Sequence, residues 1–176
     1  MRVPRWVFLL AAIPLMGCTM RVDTGDHAGE KAQRLTPERR AAVEDAVRRF
    51  AAGVAHDVTQ DGPAAWRKEF SDSPSFFMAS EGKLVFPNRQ AAAQAIDDLA
   101  RTVKQIQLNW GDDLRVDPLT EDLAQVACSW HEVRVDTEGH RVEESGFFTG
   151  LAEKQKGQWQ FRNAHWSVVV PPTKVP

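Results

Sequence analysis

The chain has 176 residues with 22 basic and 24 acidic side chains, so its formal net charge is −2 at pH 7. This size suits one domain, and a slightly acidic chain without a basic cluster argues against nucleic acid as a partner. The two cysteines, Cys18 and Cys128, are too few for a disulfide framework, and Cys128 lies in a strand pattern typical of a small buried side chain.

The first seventeen residues predict a removable export signal. Arg2 and Arg5 give a positively charged start, and Trp6 to Met16 form an apolar run. That run is too short to cross a bilayer, because a spanning helix needs about 20 apolar residues. We therefore predict a signal peptide over residues 1–17. Residues 18–35, which are polar and contain two glycines, are predicted to be a tether.

Hydrophobic periodicity, caps and turn residues predict three helices and six strands after the tether. The predicted helices are Thr36 to His56-Asp57, a short helix from Gly62-Pro63, and Arg89 to about Lys104. The predicted strands are Ser75–Ala79, Lys83–Phe86, Ile106–Trp110, Leu123–Asp136, His140–Glu153 and Gln158–Val170. Gly111 predicts a bulge that bends the sheet. Helices on one face of a mostly antiparallel sheet give an α+β domain.

Two local patterns carry a resemblance to a known superfamily. The hairpin from Phe76 to Gly82, and the ending that runs from Gly157 to Ser167, resemble the nuclear-transport-factor-2-like (NTF2-like) superfamily, also called SnoaL-like or cystatin-like cone folds. The resemblance implies a domain over residues 36–172. In it, three N-terminal helices pack on a curved, mostly antiparallel sheet and enclose an apolar pocket. Function does not follow from this fold, which hosts isomerases, dehydratases, hydrolases and transport factors.

The ketosteroid isomerases of this fold need a carboxylate base, a tyrosine and a protonated acid. Alignment by eye places Phe50 where the tyrosine stands, Ala79 near the base and Thr149 near the second acid, and the chain contains no tyrosine. The resemblance therefore implies a pocket without this acid/base machinery. The residues that we expect to line the pocket are Phe50, Trp66, Phe77, Trp130, Thr149 and Trp166.

His165 is a weak catalytic candidate, because an imidazole can act as a general acid or base. Side chains alternate along a strand, so His165 and Trp166 point to opposite faces, and the alignment favours Trp166 for the pocket. A histidine bonded within the sheet or lying on a dimer surface is the simpler interpretation. The five histidines are scattered, so we predict no metal site and no cofactor.

Leu15-Met16-Gly17-Cys18 resembles the lipobox of bacterial lipoproteins, in which the cysteine is acylated and becomes the new N-terminus. The resemblance implies that acylated Cys18 binds the lipid bilayer. Thr19 follows in place of Asp, which resembles sorting to the outer membrane, facing the periplasm, rather than retention in the inner membrane.

We therefore expect a membrane-anchored module that binds a small apolar ligand or a partner, without acid/base catalysis. Both faces of the last strand are partly apolar, so we also expect a homodimer. Two other classes stay open: a dehydratase- or hydrolase-like enzyme that uses His165 in the pocket, and a structural scaffold whose cone is filled.

Overall fold

The computed structural model describes residues 35–169, within which there are three α-helices and seven β-strands. The predicted signal peptide, and the predicted tether except Leu35, lie outside the described residues. None of the described helices is long and apolar enough to cross a membrane. The elements are α1 (Pro37–Asp61), α2 (Trp66–Glu69), β1 (Phe77–Ser80), β2 (Lys83–Phe86), α3 (Arg89–Thr102), β3 (Val103–Trp110), β4 (Arg115–Thr120), β5 (Leu123–Asp136), β6 (Arg141–Gln155) and β7 (Gln158–Val168).

The longest helix, α1, packs on the sheet through an apolar stripe. Thr36 caps the helix by accepting a hydrogen bond from the Arg39 amide at 3.3 Å. The buried side chains recur at helical spacing: Val43, Val47, Ala51, Val54 and Val58. The predicted end at His56-Asp57 is one turn short, because Val58 extends this stripe. The helix stops at Gly62, whose φ of 79° favours glycine.

The strands form a curved, open sheet in the order β2-β1-β7-β6-β5-β3, and β4 also pairs with β5. All strand pairs in the described residues are antiparallel except β1 with β7. The long strand β5 pairs along one edge with two strands, β4 at its N-terminal half and β3 at its C-terminal half. This is the predicted α+β class, but the helices are not all N-terminal to the sheet, since β1 and β2 precede α3.

Two details of the sheet differ from the prediction. β4 is a strand that the sequence pattern hides, because Pro118 interrupts it; an edge strand tolerates proline. Gly111 is not a bulge but follows the end of β3, where an added Cβ would lie 2.0 Å from Ser129 Oγ. A register irregularity of the kind that bends long strands lies instead between Leu151 and Ala152 of β6.

Hydrogen bonds attach α1 to the edge strand β3. The Leu108 amide donates to Thr59 Oγ1 at 3.1 Å, and the Trp110 indole N–H donates to the Ala51 carbonyl at 2.8 Å. The core lies between this helix and the inner face of the sheet, and it includes Cys128 at 1% exposure, as predicted. Burial raises the pKa of the Cys128 thiol to about 12, so the thiol is unreactive.

Side-chain alternation gives the sheet an inner and an outer face. On β5 the even-numbered residues from Ala124 to Trp130 are buried on the inner face, against the helices. The outer face carries large apolar side chains that are exposed in the single chain, among them Phe77, Leu84 and Phe147. An apolar surface of this kind on a small domain is typical of an interaction site.

Candidate functional site

A cavity of about 200 Å³ lies between the inner face of the sheet, α2 and α3. It is lined mainly by aromatic and aliphatic side chains, with three charged residues. The lining residues are Trp66, Phe70, Met78, Phe86, Ala95, Ile96, Leu99, Leu108, Trp110, Trp130, Glu132, Arg134, Glu144, Phe148, Phe161, Trp166 and Val168. Concave, mostly apolar sites with a few polar groups are the usual form of small-molecule sites.

Ring-to-ring contacts hold the aromatic walls in place. Phe148 lies at the centre of one wall, with its ring centroid 5.3 Å from Trp110 and 5.0 Å from Phe161. On the other side, Trp66 stacks on Phe70 with a centroid distance of 5.5 Å. Such pairs are worth about 0.5–1.5 kcal/mol each beyond the area they bury. The walls are therefore largely preformed.

The charged part of the cavity is a network of two carboxylates around one guanidinium. Glu132 of β5 and Glu144 of β6 are direct cross-strand partners, and Arg134 lies two residues after Glu132, on the same face. Arg134 Nε is 3.1 Å from Glu132 Oε1, and Arg134 Nη2 donates to Glu144 Oε2. The side chains of Glu132, Arg134 and Glu144 are 15%, 28% and 35% exposed. We call these three residues the charged triad.

Burial shifts the protonation equilibrium of Glu132. The pKa of Glu132 is raised above its ordinary value because the carboxyl is buried; the Arg134 charge opposes this effect, and the weaker repulsion from Glu144 adds to it. With both carboxyls ionised, the triad carries one uncompensated negative charge. A buried carboxyl with a raised pKa in a cavity is a candidate acid, base or ligand-binding group.

Three of the six residues expected to line the pocket do so: Trp66, Trp130 and Trp166. They come from α2, β5 and β7, so three separate segments bring indole rings to one cavity. The Trp130 ring lies against β6 at Gly146, where an added Cβ would be 3.1 Å from Trp130 Nε1 and only 1.7 Å from the Ser167 carbonyl oxygen. Only a residue without a side chain fits between them.

The other three do not line the cavity. Phe50 packs behind it, with its ring centroid 4.8 Å from that of Phe161. Thr149 follows Phe148 on β6, so alternation places it on the outer face opposite Ala127. Phe77 precedes the buried Met78 and is 45% exposed on the outer face.

His165 does not line the cavity either. It is exposed on the outer face of β7, paired with Thr149 and Ala79, while Trp166 faces inward. No histidine is among the lining residues found in the described part of the chain. An imidazole at position 165 therefore has no access to a molecule in the cavity.

Two other groups of titratable residues do not line the cavity. Burial raises the pKa of Glu69 on α2 to about 7, but Glu69 is not a lining residue. At the β5–β6 turn, ligand atoms of Asp136, Glu138 and His140 lie within 4.8 Å of one another, a spacing that could hold a metal ion. Asp136 Oδ1 already accepts hydrogen bonds from the Glu138 and His140 amides at 2.8 Å, so this carboxylate has a structural role in the turn.

The sequence analysis did not predict the charged triad, because its members lie on two strands and become neighbours only across the hairpin. The signal was available in the predicted turn at residues 137–139. Counting back from that turn pairs Glu132 with Glu144, and Arg134 falls on the same face. Two like charges directly opposite each other are unfavourable in a sheet, so such a pair marks a position that needs an explanation.

Comparisons with known proteins give a likeness in structure and none in sequence. No protein-family model and no curated protein matches the chain. An NTF2-like superfamily protein from Salmonella enterica serovar Typhimurium LT2 has a TM-score of 0.63 at 13% identity, and the match covers 76% of this chain and 96% of that one. A candidate scytalone dehydratase from Novosphingobium aromaticivorans has a TM-score of 0.60 at 14% identity, covering 72% and 83%.

A hexachlorocyclohexane dehydrochlorinase also matches, with a TM-score of 0.59 at 13% identity over 80% of this chain and 98% of that one. Identities this low show the fold alone, and the neighbours include enzymes with different reactions. The domain described by residues 35–169 has the NTF2-like, or SnoaL-like, fold.

Proposed function

We propose that this protein is a membrane-anchored NTF2-like module whose cavity binds a small, largely apolar molecule. The observation that carries the proposal is the aromatic cavity between the sheet and α3, with Trp66, Trp130 and Trp166 in its walls. A purely structural scaffold would fill this space with side chains. A cavity with apolar walls and a few charged groups instead suits a ligand that is apolar over most of its surface.

The cavity volume limits the ligand to about one ring with a short substituent. An engineered apolar cavity of about 150 Å³ binds benzene, whereas pockets for drug-sized ligands measure about 300–1,000 Å³. The volume of about 200 Å³ lies between these values and nearer to the first. Steroids and long acyl chains are therefore too large for this cavity.

Filling the cavity tests the proposal. Ala95 of α3 lines the cavity, so Ala95→Phe places a ring inside it. We expect 2-phenylethanol to raise the melting temperature of the native protein, because a ligand that binds only the folded state stabilises it by about 2.7 kcal/mol at a concentration of 100 Kd. Ala95→Phe should abolish this rise.

The matched control is Ala100→Phe, which adds the same ring to the same helix at an exposed position outside the cavity. It should keep the ligand response of the native protein. A native protein that shows no melting shift, or an Ala95→Phe variant that keeps the full shift, would contradict binding in this cavity.

Acid/base catalysis by Glu132 is a second candidate function, favoured by the position of its carboxyl in the cavity and its raised pKa. Neighbours of the same fold are named as a dehydratase and a dehydrochlorinase. If Glu132 is the base, turnover rises with pH as the carboxyl ionises, and the midpoint lies above the ordinary value because burial favours the protonated form. Glu132→Gln should then abolish turnover and retain ligand binding. Equal turnover by the native and variant proteins would exclude this role.

The proposed anchor is a lipid-modified Cys18, supported by the apolar run and the Leu15-Met16-Gly17-Cys18 pattern that precedes the domain. Several acyl chains on one residue hold a protein at a membrane, since each buried CH₂ contributes about 0.8 kcal/mol. We propose the outer membrane as the location, with the domain facing the periplasm.

Replacing the two cysteines separately tests the anchor. In cells fed labelled palmitate, Cys18→Ala should remove the label and release the protein from the outer-membrane fraction. Cys128→Ala should keep both, because that thiol is buried in the domain core. Unlabelled native protein, or label retained in Cys18→Ala, would refute the anchor.

We also propose that two copies pair through the outer face of the sheet, where Phe147 is 43% exposed in the single chain. Phe147→Glu would place a charge in this interface, so it should convert a dimer to a monomer in native mass spectrometry. Val142 lies on the same strand but on the opposite face and is similarly exposed, at 46%. Val142→Glu should leave the dimer intact, and a monomeric native protein would disprove the pairing.

A further inference from the structure

The charge of the cavity is not balanced by the residues that line it. Among the lining residues of the described chain, Glu132 and Glu144 are the acidic side chains and Arg134 is the basic one. Arg134 is bonded to both carboxylates, so its charge is shared between them. With both carboxyls ionised, one negative charge is left without a cation in a largely apolar space, where an unpaired charge is costly.

Each carboxylate also has one oxygen that remains available as a hydrogen-bond acceptor. Glu132 contacts Arg134 through Oε1, and Glu144 contacts it through Oε2. Within residues 35–169, no hydrogen bond or ion pair is found for Glu132 Oε2 or Glu144 Oε1. A bound molecule that donates hydrogen bonds can therefore be held by these oxygens without displacing Arg134.

The indole rings in the cavity walls can attract a positively charged ligand, as the carboxylates do. Four indole rings line the cavity: Trp66, Trp110, Trp130 and Trp166. The face of an aromatic ring is its electron-rich side, and tryptophan attracts cations more strongly than phenylalanine or tyrosine does. A cation is thus favoured by the triad and by any indole whose face borders the cavity, whereas an anion is disfavoured by both.

We propose that the ligand of this cavity is a small apolar amine, whose ring lies among the indoles and whose ammonium group lies at Glu132 and Glu144. This assignment rests on the proposed ligand-binding function and adds to it the charge and the chemical class of the ligand. The ammonium supplies the missing cation, and its three N–H donors match the carboxylate oxygens that have no partner in the described chain.

An anionic ligand, such as a fatty or aromatic acid, does not fit this arrangement. Among the lining residues of the described chain, its one cationic partner would be Arg134, which already contacts two carboxylates. The approaching anion would also meet the charges of Glu132 and Glu144. A neutral ligand gains the apolar contacts but leaves the cavity charge unbalanced.

Three probes of nearly equal size and different charge test the proposal: 2-phenylethylamine, 2-phenylethanol and phenylacetate. Their affinities are measured by titration calorimetry at pH 7.5, using the full chain in nanodiscs of zwitterionic lipid, with empty nanodiscs subtracted. We expect the amine to bind at least about tenfold more tightly than the alcohol, a ratio that corresponds to the strength of a desolvated cation–π or ionic contact. Phenylacetate should bind more weakly than the alcohol.

Variants that neutralise one carboxylate of the charged triad test whether the triad causes the preference for the amine. Glu132→Gln and Glu144→Gln should each remove most of the amine preference while leaving the affinity for the alcohol nearly unchanged. Glu143→Gln is the matched control, because it removes the same charge from the neighbouring outer-face position of β6. It should bind all three probes as the native protein does. Circular dichroism of each variant checks folding. If either Glu132→Gln or Glu144→Gln misfolds, the other variant still tests the role of the triad.

The outcomes separate this inference from the function on which it rests. Binding of the alcohol with no preference for the amine, or a preference for phenylacetate, overturns the amine assignment and leaves the ligand-binding function standing. A preference for the amine that persists in both Glu132→Gln and Glu144→Gln overturns the role of the triad. Failure of all three probes to bind overturns both proposals.

Discussion

The register of the β5–β6 hairpin determines which side chains face the cavity. The turn between these strands is held by Asp136, whose Oδ1 accepts hydrogen bonds from the Glu138 and His140 amides at 2.8 Å each. Gly139 in this turn has a φ of 93°, which favours glycine. Because side chains alternate along each strand, a shift of one residue would exchange the inner and outer faces. His131 and Glu143 on the outer face would then replace the charged triad.

The energetic cost of the triad suggests a role beyond stability. Two carboxylates face each other directly across the hairpin, and both lie beside an apolar cavity. Apolar side chains of similar volume are often as stabilising as a buried ion network, or more so, because ions lose their hydration. Arg134 offsets the repulsion between the two carboxylates, but burial still raises the pKa of Glu132, so ionising this carboxyl has a cost that Arg134 does not remove. The proposed binding of a ligand would give these charges a function that folding does not require.

The chain has the fold of proteins whose names describe different reactions, so the fold alone does not determine what the cavity does. The curved sheet and α3 enclose a cavity whichever side chains line it. What the cavity can bind depends on a few inner-face positions on β5, β6 and β7. In this chain those positions hold tryptophans and a carboxylate–guanidinium–carboxylate network, and His165 lies on the other face.

Local patterns were sufficient to predict most of the secondary structure. The cap at Thr36, the turn glycines at 82, 139 and 157, and the alternation of the long strands each depend on residues close together in the chain, and the structure has them in place. Burial of Cys128 and the opposite orientations of His165 and Trp166 followed from the same alternation. The end of α1 was one turn off because the apolar stripe includes Val58.

Features that depend on contacts between residues distant in sequence could be known only from the tertiary structure. β4 is a strand because β5 offers it an unpaired edge, although Pro118 weakens its local pattern. Phe50 and Thr149 have residue types that fit a pocket, yet Phe50 packs behind Phe161 and Thr149 faces outward. The charged triad forms only when β5 pairs with β6 in one register, and the cavity forms only when α3 covers them. Residue type and periodicity predict which face of a helix or strand is buried. The packing of the helices and strands against one another decides which of the buried residues enclose the cavity.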